Sequence, residues 1–469
     1  MIDIDRALSP SDLLPSIDRM WEVSASKVRS IEASFRPGSP TPVFTVEGRY
    51  QAQGWTEWTE GFQHGSAILQ FDATGDTAFL ELGRERTRDS MASHVTHVGV
   101  HDHGFNNVST YGNLLRLARE GAFEASRGEI DFYELALKAT GAVQAARWAP
   151  IRPEAGGAAG YIYSFNGPQS LFVDTIRSCR ALAVSHSLGH ALMGERDQRI
   201  SLLGRLIEHA RATAKYNVYY GEGRDIYDVR GRACHEALFN TNNGDFRAPS
   251  TQQGYSAFST WTRGQAWAVC GFPEELEWLA TVSDAELEPF GGRTDVEGMM
   301  MKAARATADF YLEQTPTCGV PYWDTGAPGL ASMPGWDKRI ADPFNEFEPV
   351  DSSAAAIAAQ GLLRLAAVLD SAGEHSDAER YRSAGLTTAR TLLGELYTSG
   401  DHEHQGLLLH AVYHRPCGWD HVPEGRSIPC GESCMWGDYH LRELALYIQR
   451  LAQDKPYYTF FGGVKGAGA

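Results

Sequence analysis

Apolar residues recur at three- and four-residue spacing along most of the chain, which predicts helices rather than strands. About twelve stretches carry the pattern, and they come mostly in pairs. The first runs from Ser11 to Ser30. Gly61–Thr74 and Asp76–His94 follow, split by Gly75. Phe105–Phe123 and Asp131–Arg147 form a second pair, with a turn at Arg127 and Gly128. Gln169–Met193 and Glu195–Tyr216 flank Gly194, a helix stop. Trp261–Ser283 and Asp295–Gln314 come next, then Ser352–Ser371 and Ser376–Tyr397 around Gly373, and finally Met435–Gln453.

Short glycine turns alternating with longer connections suggest six helical hairpins closed into a ring, an all-α (α/α)6 barrel forming a single domain over residues 1–469. An open α-solenoid is the alternative. The inner helices should be the apolar ones, and SSAAAIAAQGLLRLAAVL from Ser352 fits that position. Three connections are too elaborate for mere links. Glu222–Pro249 alternates like a small antiparallel sheet, or β-hairpin insertion. Thr315–Val350 and Tyr413–Cys434 are rich in glycine and proline, and loops of this length usually carry function. The closing GGVKGAGA reads as a frayed tail.

The formal net charge of −17 argues against nucleic acid and against a basic membrane face. It leaves room for an anionic small molecule, which needs only one local cation. The seven cysteines are scattered, and the tightest group, Cys417, Cys430 and Cys434, lacks a second pair at zinc-ribbon spacing, so free thiols are expected and no metal. The N-terminus has no basic region followed by an apolar core, and the chain has no long uncharged apolar run. The expectation is a cytoplasmic protein that neither spans nor binds a membrane.

Residues Gln253 to Trp267, QGYSAFSTWTRGQAW, are the densest in chemical information. Tyr255, Trp261 and Trp267 supply flat faces, Arg263 a planar cation, and Gln253 and Gln265 amides. That set suits a sugar, with its apolar ring face and rim of hydroxyls, and the guanidinium suits a sugar carboxylate. A buried aromatic helix start with a satisfied arginine reads equally well. Thr262 and Gln265 stand at capping-box spacing, which places a helix start here.

Two carboxylates stand out. Asp102 lies in His101-Asp102-His103-Gly104-Phe105, where it is an N-cap or a functional acid. Asp174 sits in the apolar run LFVDTI, and burial should raise its pKa toward that of a general acid. The macrodipole of a helix start would account for it equally.

RGQAW after QGY resembles glycoside hydrolase family 88, the unsaturated glucuronyl hydrolases. HDHGF is similar to that family's HDxGF, Asp174-Thr175 to its second acidic motif, and the order of motifs over roughly residues 50–445 agrees. The resemblance implies the (α/α)6 barrel and no metal or organic cofactor. It also implies a partner that is an oligosaccharide with a 4,5-unsaturated uronic acid at its non-reducing end. Asp174 would be the catalytic acid and base, with Asp102 raising its proton affinity. Trp58, preceded by Trp55, would be a sugar platform, and His101, Trp148, His235, Gln253, Trp261, Arg263 and Trp267 would contact substrate. MWGDY from Met435 and DSSAAAIAA from Asp351 would be structural. The unsaturated rhamnogalacturonyl hydrolases share the implied fold and acids, but RGQAW favours family 88. An epimerase on the same barrel, a carbohydrate-binding protein without catalysis and a scaffold solenoid are the competing readings.

Overall fold

The computed structural model describes residues 1–35, 38–53, 57–152 and 159–461. Trp55 and the closing GGVKGAGA lie outside them. The helices form where the periodicity places them, and local signals set their ends. After α1 (Leu14–Ser34), Gly75, at φ 73°, stops α2 (Glu60–Thr74), and Asp76 caps α3 (Thr77–Ser90) by accepting the Ala78 N–H. A capping box of Ser126 and Glu129 starts the next outer helix at Arg127, four residues before the expected Asp131.

Six segments make an inner ring. They are α2, the broken helix His103–Asn106 and Asn113–Arg119, the broken helix Thr175–Ser178 and Arg180–Ser187, then Thr262–Leu279, Ser352–Ser371 and Met435–Ala452. Each packs on the next, and the last returns to α2, so the ring closes. The helices Leu14–Ser34, Thr77–Ser90, Arg127–Ala146, Leu202–Tyr216, Gly292–Gln314 and His375–Leu392 lie outside it. This is the expected (α/α)6 barrel, closed rather than an open solenoid. Ser352–Ser371 is apolar and long enough to cross a membrane, yet 94% of that stretch is buried inside the ring.

Four expectations are corrected. The predicted helix Gln169–Met193 begins as a strand, Ser170–Phe172, which pairs antiparallel with Glu236–Phe239; that strand pairs in turn with Phe246–Ser250. The aromatic and β-branched run suits an extended edge, and the chain becomes helical only at Thr175. The helix expected from Glu195 starts at Leu202, because Leu192–Met193 and Arg199–Ile200 form a hairpin first. The helix expected over Phe105–Phe123 is interrupted by a π-turn at Val108–Gly112. Finally, the inner ring is not uniformly apolar. Arg177, Arg180, Arg364, Glu274, Glu277 and Glu443 are fully buried and form ion pairs across helices, Arg177 reaching Glu443 at 3.1 Å and pairing with Glu274.

Small residues let these helices touch. A Cβ on Gly361 would fall 2.4 Å from the Val269 carbonyl oxygen of the neighbouring inner helix. Ordinarily Gly→Ala within a helix is stabilising. Gly361→Ala is expected instead to destabilise by about 1–3 kcal/mol, the cost of overpacking, seen as a lowered Tm; an unchanged or raised Tm would show that the contact relaxes freely.

Candidate active site

The inner helices begin at one end of the barrel, and the loops before them form the site. Asp102 and Asp174 occupy N-cap positions, but neither side chain makes a capping hydrogen bond. Their carboxylates turn instead into a pocket lined by Trp58, Val100, His101, Phe105, Phe165, Gln252, Gln253, Trp261, Arg263, Trp267, Tyr413, His414 and Trp419. The two acids sit on separate segments that Ser178 fastens together. Its hydroxyl donates to the His101 carbonyl at 2.6 Å and accepts the Gly104 N–H at 3.0 Å. The Gln144 amide donates to both the His101 carbonyl and the Ser178 hydroxyl.

His101 stands between the acids. Its Nε2 is 3.7 Å from Asp102 Oδ1 and 3.8 Å from Asp174 Oδ1. Burial pushes the imidazole down, but Asp102 and then Asp174 outweigh it and leave its pKa above the ordinary value. Burial pushes Asp102 up, and the nearby charge of Asp174 adds to that. Burial pushes Asp174 up as well, yet contact with His101 and the charges of His101 and His235 bring it below its ordinary value. The expected rise at Asp174 is therefore reversed in the ligand-free site, because the imidazole acts on it more strongly than the second carboxylate does.

The other expected residues divide into two groups. Trp58, Trp261, Trp267 and Gln253 line the pocket, as does His101. Trp58 stacks on Trp436 at 4.8 Å and 26°, so the MWGDY segment floors the site as well as packing the barrel. His235 and Trp148 are not pocket residues. His235 lies behind the wall between Phe172 and Trp261, and its Nδ1 accepts the N–H groups of Gln252 and Gln253. It positions the amides. Trp148 is half-buried in a short strand, with the Arg205 guanidinium 3.8 Å above its ring.

Arg263 lines the pocket but does not stand free as a carboxylate clamp. Its terminal nitrogens donate to Asp351 at 2.8 Å, to Gln253 Oε1 at 2.9 Å, and to the Val412 and Tyr413 carbonyls. These four acceptors match its four terminal N–H bonds. Asp351 also caps the helix Ser352–Ser371. The capping box expected of Thr262 and Gln265 does not form either. The Thr262 hydroxyl donates to the Tyr322 and Trp323 carbonyls, and Gln265 joins Ala233, Gly231 and Thr307.

The motifs did not point to Val100, Phe105, Phe165, Gln252, Tyr413, His414 and Trp419 as pocket residues. Tyr413, His414 and Trp419 lie in the Tyr413–Cys434 connection, whose length and composition did signal function. The Gln252-Gln253 doublet carried a weaker signal. Phe165 carried none. An open groove of 670 Å³ adjoins the pocket, sharing Val100 and Phe165 with it and lined further by Glu60, Ser93, His94, His97 and Gly99.

This arrangement can hold a ring between aromatic faces and move protons beside it. Known proteins resemble the chain in sequence and fold. The unsaturated glucuronyl hydrolase of Bacillus sp. (strain GL1) is 28% identical over 411 residues, covering 86% of this chain and 89% of that protein. The chain is thus similar to an unsaturated glucuronyl hydrolase over most of its length. The unsaturated chondroitin disaccharide hydrolase of Streptococcus pyogenes serotype M1 is 25% identical over 454 residues, covering 94% and 92%. Among solved structures, an unsaturated glucuronyl hydrolase specific for heparin superposes with a TM-score of 0.67 at 18% identity, over 94% of this chain and 98% of that one. The Bacillus sp. GL1 unsaturated glucuronyl hydrolase gives 0.66 at 23%, over 97% and 99%. These likenesses carry the fold. No protein-family model matches the chain.

Arg263 yields a direct test of its anchoring role. Arg263→Ala leaves Asp351 buried without its partner, which is expected to cost about 3–5 kcal/mol. A large fall in Tm is therefore predicted. An unchanged Tm with only a raised KM would return Arg263 to the role of substrate clamp.

Proposed function

We propose that the protein removes a 4,5-unsaturated uronic acid from the non-reducing end of lyase-generated oligosaccharides by hydrating the C4=C5 vinyl ether. The observation that carries this reading is the pair of buried carboxylates beside His101 in an aromatic pocket, in a chain similar to the unsaturated glucuronyl hydrolases.

The chemistry follows from the substrate. Protonation at C4 places positive character at C5, shared with the ring oxygen. Water adds at C5, and the resulting hemiketal opens and expels the remaining sugar. A retaining or inverting glycosidase needs an acid on the leaving oxygen and a second carboxylate at a set separation. Hydration needs one group that gives a proton to C4 and takes one from water, and Asp174 is proposed for it. Asp102, with its raised proton affinity, orients the sugar hydroxyls by donating or accepting. Trp58, Trp261 and Trp267 hold ring faces, and Gln253 the rim.

The pocket encloses 50 Å³, against roughly 300–1,000 Å³ for ordinary ligand pockets. Admission of a sugar therefore requires the pocket walls to move apart. The adjoining groove offers space for the leaving sugar. With Arg263 fully engaged, the uronate carboxylate meets the Gln252 and Gln253 amides and the indoles rather than a free cation. No metal or organic cofactor is needed for this reaction, and the site is proposed to work in the cytoplasm.

The test follows the ultraviolet absorbance of the C4=C5 bond while the protein is mixed with unsaturated disaccharides from chondroitin, hyaluronan, heparin, ulvan and pectin. Absorbance is expected to fall with at least one of them, and Asp174→Asn to slow that loss at least ~100-fold with an unchanged melting curve. Near-normal turnover in Asp174→Asn would remove the central assignment. Absorbance unchanged across the panel would favour an epimerase or a binding protein.

A further inference from the structure

His101 is the least satisfied polar side chain at the centre of the site. It is 1% exposed, and neither ring nitrogen makes a hydrogen bond. Asp174 Oδ1 is likewise buried without a hydrogen bond. The ring is clamped, stacked on Phe165 at 6.1 Å and 20° and edge-on to Phe172 at 5.6 Å. Nε2 is thereby aimed at both carboxylates from nearly equal distances, 3.7 and 3.8 Å. These separations are ion-pair distances, and a shift of about 1 Å by either carboxylate would make a hydrogen bond. A buried polar group left so is costly unless a ligand or a proton completes it.

We infer that His101 is a positioning residue that stores the working proton of the acid pair, passing it to Asp174 once substrate is bound and taking it back after water is deprotonated. This rests on the hydration reading. The Nε2–H bond breaks as an O–H bond forms on Asp174 Oδ1. That O–H bond breaks as the C4=C5 electron pair takes the proton at C4. Water forms its bond to C5 and gives a proton to Asp174, which returns it to Nε2. The sum is one water across one double bond, with nothing oxidised or reduced.

The surroundings single this imidazole out. The charged and titratable groups facing it are Asp102, His103, Asp174, Arg147, His209 and His235. Burial pushes His103 and His209 down to about 3 and His235 to about 4, so all three stay neutral. His101 alone among these histidines moves up, despite equal burial, because both carboxylates face it and Arg147 opposes them only weakly. Asp174 is held ionised by the same contact, which suits a base but not an acid. A stored proton on His101 lets one carboxylate serve as both.

Two measurements decide it. In the ligand-free protein, an NMR titration of the His101 ring should give a pKa above the ordinary 6.5, and Asp174→Asn should lower it. A His101 ring already neutral at pH 6.5 would overturn the inference whatever the substrate proves to be. In turnover of an unsaturated chondroitin disaccharide, or whichever member of the panel is consumed, the alkaline limb of the kcat/KM profile should lie above 6.5 in the wild type. A raised pKa keeps the proton bound to higher pH, so His101→Gln should move that limb down by about 1 unit or more and lower kcat ~100-fold. KM should change less than about twofold, since ground-state binding is untouched. An unmoved limb in a folded His101→Gln protein would overturn the inference while leaving hydration intact. A panel with no consumption in the wild type would sink the hydration reading, and the proton relay with it.

Discussion

The close contact of the Gly104 turn with Ser178 is what the site depends on. A Cβ at Gly104 would lie 2.1 Å from the Ser178 carbonyl oxygen, so only glycine lets the two inner segments approach this far. The approach is then locked by the Ser178 hydroxyl and the Gln144 amide, both bonded to the His101 carbonyl. Arg180 adds a third tie through the Gly104 carbonyl. Asp102 and Asp174, distant in sequence, are carried by these bonds to one imidazole nitrogen. The closed ring behind them supplies the rigidity that a loop alone could not.

Burial in that ring sets the electrostatics. Carboxylates taken out of water prefer the neutral form, and imidazoles do too. Opposed groups placed together escape this only by stabilising each other. The barrel does so both deep in the ring and at its mouth. Deep in the ring, Arg177, Arg180 and Arg364 hold Glu443 well below the usual carboxylate range. At the mouth, His101 holds Asp174 down while Asp102 remains high. The first set pairs arginines with glutamates away from the pocket and is structural. The second leaves Asp174 Oδ1 and both His101 nitrogens without hydrogen bonds, and it faces the pocket. Arg263 belongs with the first kind, despite its place beside the sugar-binding aromatics.

Much of the fold was legible because helical periodicity and glycine punctuation act locally. The pairs around Gly75 and Gly373 needed no tertiary information. The failures came where distant partners decide. Ser170–Phe172 is a strand because Glu236–Phe239 lies beside it, and nothing within Gln169–Met193 announces that partner. At the site, Asp102 and Asp174 could be read from the cost of acids in apolar or His-rich surroundings. The role of Arg263 could not, since its acceptors at Asp351, Val412 and Tyr413 are far along the chain. Likewise, the direction of the Asp174 shift depends on where His101 stands. Phe165 had no local signal at all.

The central claim is that a proton from solvent arrives at C4 of the unsaturated ring. The most direct test is turnover in deuterium oxide, with NMR of the earliest product. Hydration predicts one deuterium at C4, in a single configuration, with the C4=C5 bond gone. A released unsaturated uronic acid that keeps its double bond and carries no deuterium at C4 would mean ordinary glycosidic cleavage, and would contradict the account.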